Sequence, residues 1–175
     1  MKTIGAMIVS LFFLTATATA KVDRLPEYRG PVQITTAQIY MGQKLPGQNK
    51  RDEECLAYSI FREAGNLNEA GQYAVAQVHI NRAREGNWGS HLCQVVHAKN
   101  QFSWTRERYI SWSEQQAKRY RSMAHAVITG VVGVPQLAST EVLHYHANYV
   151  HPNWARYGKV VAMAGPHIFY KDVPY

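Results

Sequence analysis

The sequence lacks the short motifs that mark several common classes of active site. There is no HExxH or CxxC pair for zinc, no GxSxG turn for a serine nucleophile and no glycine-rich phosphate loop. There is also no run of Lys and Arg of the kind that nucleic-acid-binding arms carry, although the formal net charge is +7. The basic charge is compatible with an anionic cell wall, lipid or nucleic acid, and without such a run we expect no nucleic-acid partner.

The first twenty residues are poor in charge. Lys2 is followed by eighteen residues without a charged side chain, which end in TATATA before Lys21. A basic start, an apolar centre and small residues at the end predict a signal peptide over residues 1–20, with cleavage after Ala20. The uncharged run is also long enough to span a membrane, so an uncleaved anchor is the alternative. We expect an exported protein, in the periplasm, the cell envelope or the medium, with no membrane span after cleavage.

Cysteine is scarce as well, since Cys55 and Cys93 are the only two. Both lie in segments with helical patterns near the start of the folded domain. Export makes a disulfide chemically permissible. We therefore favour a bridge between these two residues, and a pair of buried free thiols is the alternative.

Residues 21–50 show little hydrophobic periodicity, and they contain Pro26, Pro31 and Pro46. This composition predicts an extended or flexible N-terminal arm. The compact domain is expected over residues 51–175, a length that suits a single domain.

The domain is predicted to be mainly helical, with a small irregular β region in its C-terminal part, which is a mainly α or α+β fold class. Capping signals and apolar spacing predict helices over 52–64, from Asn68 to Glu85, after Ser90, and from Ser113 to about Thr129. The apolar stripe of the second helix consists of small or branched residues, namely Gly71, Ala74, Val75, Val78 and Ile80. The β-prone pieces STEVLHYHA, KVVAMAG and HIFY come later in the chain.

Glu63 stands on the apolar face of the first predicted helix. Leu56, Ile60 and Glu63 are spaced by four and then three residues, and Gly65 follows as a helix-ending signal. A carboxyl group at this position is desolvated and lies at the negative end of the helix dipole, and both effects raise its pKa. A carboxylic acid that stays protonated near neutral pH is suited to general acid catalysis. The alternative is that Glu63 turns to solvent or pairs with an arginine, as most glutamates do.

Two further segments combine aromatic side chains with polar ones. They are QFSW, residues 101–104, and the series HYHANYVHPNWA followed by GPHIFY. Aromatic faces suit the apolar C–H faces of sugar rings, and His, Asn and Ser supply partners for sugar hydroxyls. For each aromatic residue, a place in the hydrophobic core is the alternative.

The C-terminal histidines also raise the question of a metal site. Four of them lie in one stretch, namely His144, His146, His151 and His167. His144 and His146 would share one face of a strand, as zinc ligands can. However, Glu141 is the only carboxylate between Glu114 and Asp172, so carboxylate support for metal-bound histidine is scarce. We expect no metal and no cofactor.

Five short motifs occur in a recognisable order along the domain. They are CLAYSIFREA, GQYAVAQVHINR, QFSW, HYHANYVHPNWA and KVVAMAGPHIFY, which together span about Cys55 to Tyr170. In this order they resemble the cell wall hydrolase family of the SleB type, which is similar to lysozyme-like lytic transglycosylases. The resemblance implies a lysozyme-like helical domain and an enzyme that acts on the glycan strands of peptidoglycan. The family's catalytic acid is the Glu of the EA pair after the first helix, which is Glu63 here.

The resemblance implies cleavage of the bond between N-acetylmuramic acid (MurNAc) and N-acetylglucosamine (GlcNAc), with Glu63 as general acid. A hydrolase would need a second carboxylate. In a lytic transglycosylase the muramyl 6-hydroxyl attacks C1 instead and leaves a 1,6-anhydro end, and the scarcity of other acids, with Glu69 and Glu107 as cleft candidates, favours this route. The residues implied for the sugar-binding cleft are Glu69, Gln101, Phe102, Ser103, Trp104, Tyr145, His146, Trp154 and His167.

One position departs from the family pattern. Family members usually read EARGE where this chain reads EAGNL, so Leu67 replaces the second Glu and Gly65 replaces the Arg. Glu69 lies two positions later and is the nearest substitute. Two other functions stay open at this stage: a non-catalytic peptidoglycan-binding or structural protein, and a metal-dependent amidase or peptidase. We expect a monomer.

Overall fold

The computed structural model of the protein describes residues 31–35, 38–39 and 44–174. The predicted signal peptide and much of the predicted arm lie outside these residues. The described helices are α1 (Lys50–Ala64), α2 (Glu69–Glu85), α3 (Leu92–His97) and α4 (Glu114–Ile128). The described strands are β1 (Val32–Gln33), β2 (Gln38–Ile39), β3 (Val132–Gly133), β4 (His144–Ala147), β5 (Lys159–Ala164) and β6 (His167–Lys171). The fold is mainly helical with a small sheet in its C-terminal part, as the sequence predicts.

The predicted capping residues begin and end the helices. The side chain of Asn68 accepts a hydrogen bond from the Gly71 backbone N–H at the start of α2, and Ser113 does the same for Gln116 at the start of α4. Gly86 ends α2 with a φ of 92°, a left-handed conformation that glycine adopts without steric cost. These local signals explain why the helix boundaries were predicted closely.

The central helix α2 is buried on nearly every side, from Ala70 to Ala83. The predicted single apolar stripe is therefore too narrow. Polar side chains can line the rest of the helix because they find hydrogen-bond partners inside the protein. The Asn81 amide donates to the backbone carbonyls of Leu137, Ser139 and Val142 over 2.8–3.0 Å. This network ties the loop before β4 to the middle of the domain.

The start of α1 is joined to α3 by a buried carboxylate and a disulfide. Asp52 accepts hydrogen bonds from the backbone N–H groups of Asn49 and Cys93, both over 3.1 Å. Burial alone would raise the pKa of Asp52, but these bonds and the neighbouring His91 lower it below its usual value. One turn further along, Cys55 is bonded to Cys93.

The main sheet has the strand order β1-β5-β6-β4, with β1 parallel to β5 and the other pairs antiparallel. In the β4–β6 register, Tyr145 lies opposite Phe169 and His146 lies opposite Ile168. Successive side chains of a strand point to opposite faces, so Tyr145 and Phe169 share one face and His146 lies on the other. The fully buried Phe169 belongs to the core cluster that includes the helices, so the Tyr145 face is turned towards them.

The described parts of the predicted arm pack against the domain. Strand β1 pairs with β5, and Ile34 and Leu45 are 3% and 5% exposed within the main hydrophobic core. The sequence predicts an extended or flexible arm over residues 21–50, because its short apolar pieces among prolines show no periodicity. Their packing depends on partners far along the chain, such as Ala162 and Met163. Within the part of the chain that is described, no helix combines the length and apolar character needed to cross a membrane.

Candidate active site

The carboxyl group of Glu63 lies in the last turn of α1, largely buried between the helices and the sheet. Its two oxygens each accept one hydrogen bond. The indole Nε1–H of Trp104 donates to Oε1 over 2.5 Å, and the hydroxyl of Tyr145 donates to Oε2 over 3.1 Å. The side chain therefore faces inward, as its spacing predicts, and both of its partners are among the predicted site residues.

Burial raises the pKa of Glu63 above its usual value of 4.5. The hydrogen bonds from Trp104 and Tyr145 act in the opposite direction, and so do the positive charges of Arg82 and Arg62. Desolvation is the largest of these effects, so the acid holds its proton to higher pH than an exposed glutamate. An acid of this kind can donate a proton to a bound substrate and then act as a base.

The ring of Trp104 is held in place by a stack of two further rings. It belongs to a short 3₁₀ turn, Ser103–Arg106, and stacks on Phe102, which in turn stacks on His79 with an interplanar angle of 7°. His79 is fully buried, its Nδ1–H donates to the Val75 carbonyl and its Nε2 faces the Ser59 hydroxyl at 2.9 Å. Burial lowers the pKa of His79 to about 3, so this ring is a neutral support.

Tyr145 reaches Glu63 from the inner face of β4. Its ring packs against Phe169 and edge-on against His167, with centroids 5.7 and 5.3 Å away. The pKa of Tyr145 is raised well above 10 by burial and by the nearby Glu63 charge, so its hydroxyl remains protonated. His167 is 8% exposed and burial lowers its pKa to about 4, so it is also neutral. Its Nδ1 is buried without a hydrogen-bond partner.

The sheet separates two other predicted site residues from Glu63. His146 lies on the outer face of β4, where its Nε2 meets the Tyr170 hydroxyl at 2.9 Å. Trp154 packs edge-on against both of these side chains. His146 and Trp154 thus form an aromatic cluster on the face opposite Tyr145, and the structure does not bring them to the carboxyl group.

The remaining predicted residues differ in exposure. Phe102 is 5% exposed and acts as support for Trp104, whereas Ser103 is exposed and Gln101 is half-buried. Glu69 is exposed in the first turn of α2. Leu67, which replaces the family's second Glu, is a partly buried side chain packed against the hydrophobic core.

Arg82 is a residue of this site that sequence analysis missed. It is 5% exposed on α2, its Nε donates to the Leu143 carbonyl over 2.7 Å, and its guanidinium lies over the rings of Phe102 and Trp88. Its positive charge lowers the pKa values of Glu63 and His144. Arg82 ends the motif GQYAVAQVHINR, but an arginine near a helix C-terminus is usually interpreted as an exposed partner of the helix dipole.

No group of three or more His, Cys, Asp or Glu side chains comes together as a possible metal site in residues 31–35 and 44–174. His144 and His146 do share a strand face, as expected. Trp154 packs against both rings, with centroids 5.2 and 5.5 Å away.

A partly accessible carboxyl group with a raised pKa lies between a helix end and a small sheet of a mainly helical domain, an arrangement that acid–base enzyme sites often have. A sequence profile of the cell wall hydrolase family matches residues 67–170, which is more than half of the chain. The chain therefore belongs to the cell wall hydrolase family, and the resemblance seen in the sequence is confirmed. Glu63 lies just before the matched segment.

Among solved structures, the chain is similar to the catalytic domain of the germination-specific lytic transglycosylase SleB from Bacillus anthracis. The two share 22% sequence identity with a TM-score of 0.57, over 72% of this chain and 98% of the SleB domain. This likeness confirms the predicted fold. A comparison with curated proteins gave no match.

Proposed function

We propose that this protein cleaves the MurNAc–GlcNAc bond of peptidoglycan as a lytic transglycosylase, with Glu63 as its acid and base. Membership of the cell wall hydrolase family supports the substrate class. The resemblance of the fold to a domain named as a lytic transglycosylase supports the reaction type. The observation that carries the proposal is the buried carboxyl group of Glu63 with a hydrogen-bond donor on each oxygen.

The two donors give the two oxygens of Glu63 different roles. An indole N–H can only donate, so Oε1 remains an acceptor whether or not the acid is protonated. A phenol hydroxyl both donates and accepts, so Tyr145 can face either a carboxylate oxygen or a carboxylic O–H. We therefore assign the transferable proton to Oε2.

In the first step, Glu63 gives this proton to the glycosidic oxygen while the bond from C1 to that oxygen breaks. Positive charge develops at C1 and the ring oxygen, and the GlcNAc unit leaves as an alcohol. In the second step, the 6-hydroxyl of the same MurNAc attacks C1 and its proton passes to Glu63. A 1,6-anhydro ring forms, and the enzyme regains its protonated acid without consuming water.

This route needs a single carboxyl group, and the surroundings of Glu63 fit that requirement. The charged groups that act on its pKa are the cations Arg82 and Arg62. Glu107 is paired with Arg62 over 2.7 Å, and Glu69 is exposed at the start of α2. Within the described chain no carboxylate hydrogen bonds to Glu63. Replacement of the family's second Glu by Leu67 is compatible with this single-acid mechanism.

We also propose export, because the substrate lies outside the cytoplasm and residues 1–20 have the pattern of a signal peptide. The proposed division is a signal peptide over 1–20, a segment over 21–50 and the catalytic domain over 51–175. Because Ile34 and Leu45 are buried in the domain core, we expect the segment over 21–50 to be needed for full stability.

The decisive experiment is mass spectrometry of the products released from purified peptidoglycan by the wild type and by Glu63→Gln. We expect products with 1,6-anhydro ends from the wild type, and a loss of about a hundredfold to ten-thousandfold in rate for the variant. Tyr157→Phe, at an exposed position outside the site, serves as a control that should keep wild-type rate.

Other products would change the proposal in defined ways. Reducing-end saccharides would replace the transglycosylase by a hydrolase, and Glu69→Gln would then be tested for a water-activating role. Retained binding without any glycan cleavage would make the protein a peptidoglycan-binding protein. Amide cleavage that survives Glu63→Gln would contradict the role of Glu63 altogether.

A further inference from the structure

A pocket of about 330 Å³ adjoins Trp104, and Glu63 is not among its lining residues. It lies between α1, the end of α3 and the segment that follows the 3₁₀ turn. Its size falls in the range of sites for small molecules, about 300–1,000 Å³. Of its lining residues, the acid–base mechanism described above uses Trp104 alone.

Three further aromatic rings line the pocket around Tyr58. Tyr109 stacks on Tyr58 with centroids 5.0 Å apart, and Trp104 and Trp112 meet the same ring edge-on at 5.5 and 5.2 Å. Tyr109 is 63% exposed. An open, aromatic-lined concavity of this kind suits an apolar ring face.

The pocket is held in shape without a ligand. The Tyr58 hydroxyl accepts a hydrogen bond from the Ile110 backbone N–H and donates to the Ile110 carbonyl, over 3.0 and 3.1 Å. This pair fixes the loop that carries Tyr109 and Trp112. On the other side, the disulfide between Cys55 and Cys93 joins α1 to α3. A preformed site loses little conformational entropy when a ligand binds.

The charges at the pocket are already neutralised. Glu54 accepts two hydrogen bonds from Arg121, over 2.6 and 2.9 Å, and Glu107 is paired with Arg62 over 2.7 Å. Because each of the two carboxylates in the pocket wall already has an arginine partner, neither requires a cationic ligand. A neutral molecule with an apolar face and hydroxyl groups fits this wall better than a charged stem peptide.

The pocket and the carboxyl group of Glu63 meet at Trp104. Tyr58 and Glu63 are five residues apart on α1, which corresponds to about 7.5 Å along the helix axis and about 140° around it. Trp104 connects the two places, since its ring forms part of the pocket wall and its N–H holds Oε1 of Glu63.

We propose that this aromatic pocket binds an N-acetylated sugar ring of the glycan strand, next to the bond that Glu63 cleaves. The inference rests on the proposed function for its choice of ligand. It assigns Tyr109 and Trp112 to substrate binding. A sugar bound in the pocket also contacts Trp104, the side chain that orients Glu63. We therefore expect longer glycan strands to react faster than short ones.

The test uses the full-length protein carrying Glu63→Gln, so that the ligand is not cleaved. The dissociation constant of the hexamer of N-acetylglucosamine is measured by isothermal titration calorimetry, with and without Tyr109→Ala. We expect Tyr109→Ala to weaken binding about tenfold, since a stacking aromatic face is lost. The matched control is Tyr157→Ala, because Tyr157 is 59% exposed and lies outside the pocket. It should change binding less than about twofold, and circular dichroism should show that both variants are folded.

The outcomes separate this inference from the proposed function. If Tyr109→Ala binds the hexamer as tightly as Tyr157→Ala does, the pocket is not a sugar site, whatever the wild type does to peptidoglycan. Release of 1,6-anhydro products by the wild type would then leave the proposed function intact. If the wild type releases no glycan product, the proposed function fails, and a tenfold loss with Tyr109→Ala would still support the pocket. Weaker binding of isolated stem peptides alone would assign the pocket to the peptide and overturn the inference.

Discussion

At the scale of single residues, Glu63 is held by two donors that differ in what they can do. The indole N–H of Trp104 favours the carboxylate form permanently, whereas the hydroxyl of Tyr145 can adapt to either form. Both hydrogen bonds lower the pKa of Glu63, whereas desolvation raises it. The activity of the acid therefore depends on the balance between burial and these two bonds.

Trp104→Phe and Tyr145→Phe each remove one donor and keep an aromatic ring. Because a bond to the carboxylate is lost, the pKa of Glu63 should rise further, and the fall of activity at high pH should move to higher pH. We expect kcat to drop about tenfold to a hundredfold, since the acid is less well positioned. The pH profile of product release measures both effects, with Tyr157→Phe as control. An unshifted profile in both variants would contradict a role for these donors.

Glu63→Gln should make the protein inactive but more stable at neutral pH. The folded protein binds the proton of Glu63 more tightly than the unfolded chain, so stability falls as pH rises from 4.5 through the raised pKa. Glutamine does not ionise, so the variant does not lose stability as the pH rises in this way. Its side-chain carbonyl and amide groups can face Trp104 and Tyr145. We expect a gain of about 0.5–2 kcal/mol at pH 7.

Urea unfolding at pH 7 and pH 4 measures this difference in the free energy of unfolding. The gain should shrink at pH 4, where the wild-type acid is protonated as well. An equal gain at both pH values would mean that burial of the charge is not its cause.

At the scale of elements, α2 organises the domain through buried polar side chains. Asn81 holds three backbone carbonyls of the segment that leads into β4, which carries Tyr145. Gln77 donates to the side-chain oxygen of Asn81 over 3.0 Å, so the amide is fixed in one orientation. The position of Tyr145 relative to Glu63 thus depends on a network within the core.

Asn81→Ala should destabilise the protein by about 2–4 kcal/mol, because three backbone carbonyls, two of them buried, lose their donor. The measurement is the urea midpoint at pH 7. Asn148→Ala, at an exposed position, is the matched control and should stay within about 0.5 kcal/mol of wild type. A small effect of Asn81→Ala would show that water replaces the amide in this network.

At the scale of the whole molecule, the disulfide and the buried histidines determine how the stability of the fold depends on reduction and on pH. The disulfide closes a loop with a sequence separation of 38 and joins the helix that carries Glu63 to α3. Three histidines are kept neutral by burial, with pKa values lowered to about 3 for His79 and about 4 for His144 and His167.

Replacement of Cys55 and Cys93 by serine should lower the free energy of unfolding by about 2–4 kcal/mol. The comparison is thermal unfolding of the double variant and of the wild type with and without a reducing agent. We expect reduction to lower the wild-type midpoint to that of the variant. A midpoint that is unchanged by both treatments would contradict a stabilising role for the bridge.

Acidification should destabilise the protein between about pH 6.5 and pH 4. A histidine with a lowered pKa binds fewer protons in the folded than in the unfolded protein, so its contribution is complete above 6.5 and is lost as pH falls. Asp52, whose pKa is also lowered, adds to this loss at lower pH, whereas Glu63 acts in the opposite direction.

Unfolding midpoints at pH 7, 5.5 and 4.5 test this expectation. His79→Gln should flatten the dependence, and His97→Gln, at an exposed position, should not. A wild-type midpoint that rises on acidification would contradict the expectation.

The sequence by itself determined the elements whose signals are local. Asn68, Ser113 and Gly86 marked helix ends because capping involves neighbouring residues, and the spacing of Leu56, Ile60 and Glu63 put the acid on an inward face. The order of five motifs was enough to indicate the cell wall hydrolase family.

Only the tertiary structure decided which of the predicted site residues meet. QFSW and HYHA both looked suited to sugars, but the alternation of β4 turns Tyr145 towards Glu63 and His146 away from it. Arg82 and Tyr58 belong to two of the five motifs, but the sequence did not indicate the site contacts of Arg82 or the pocket around Tyr58. Their surroundings are built from residues far apart in the chain, and such contacts arise only when helices and strands pack.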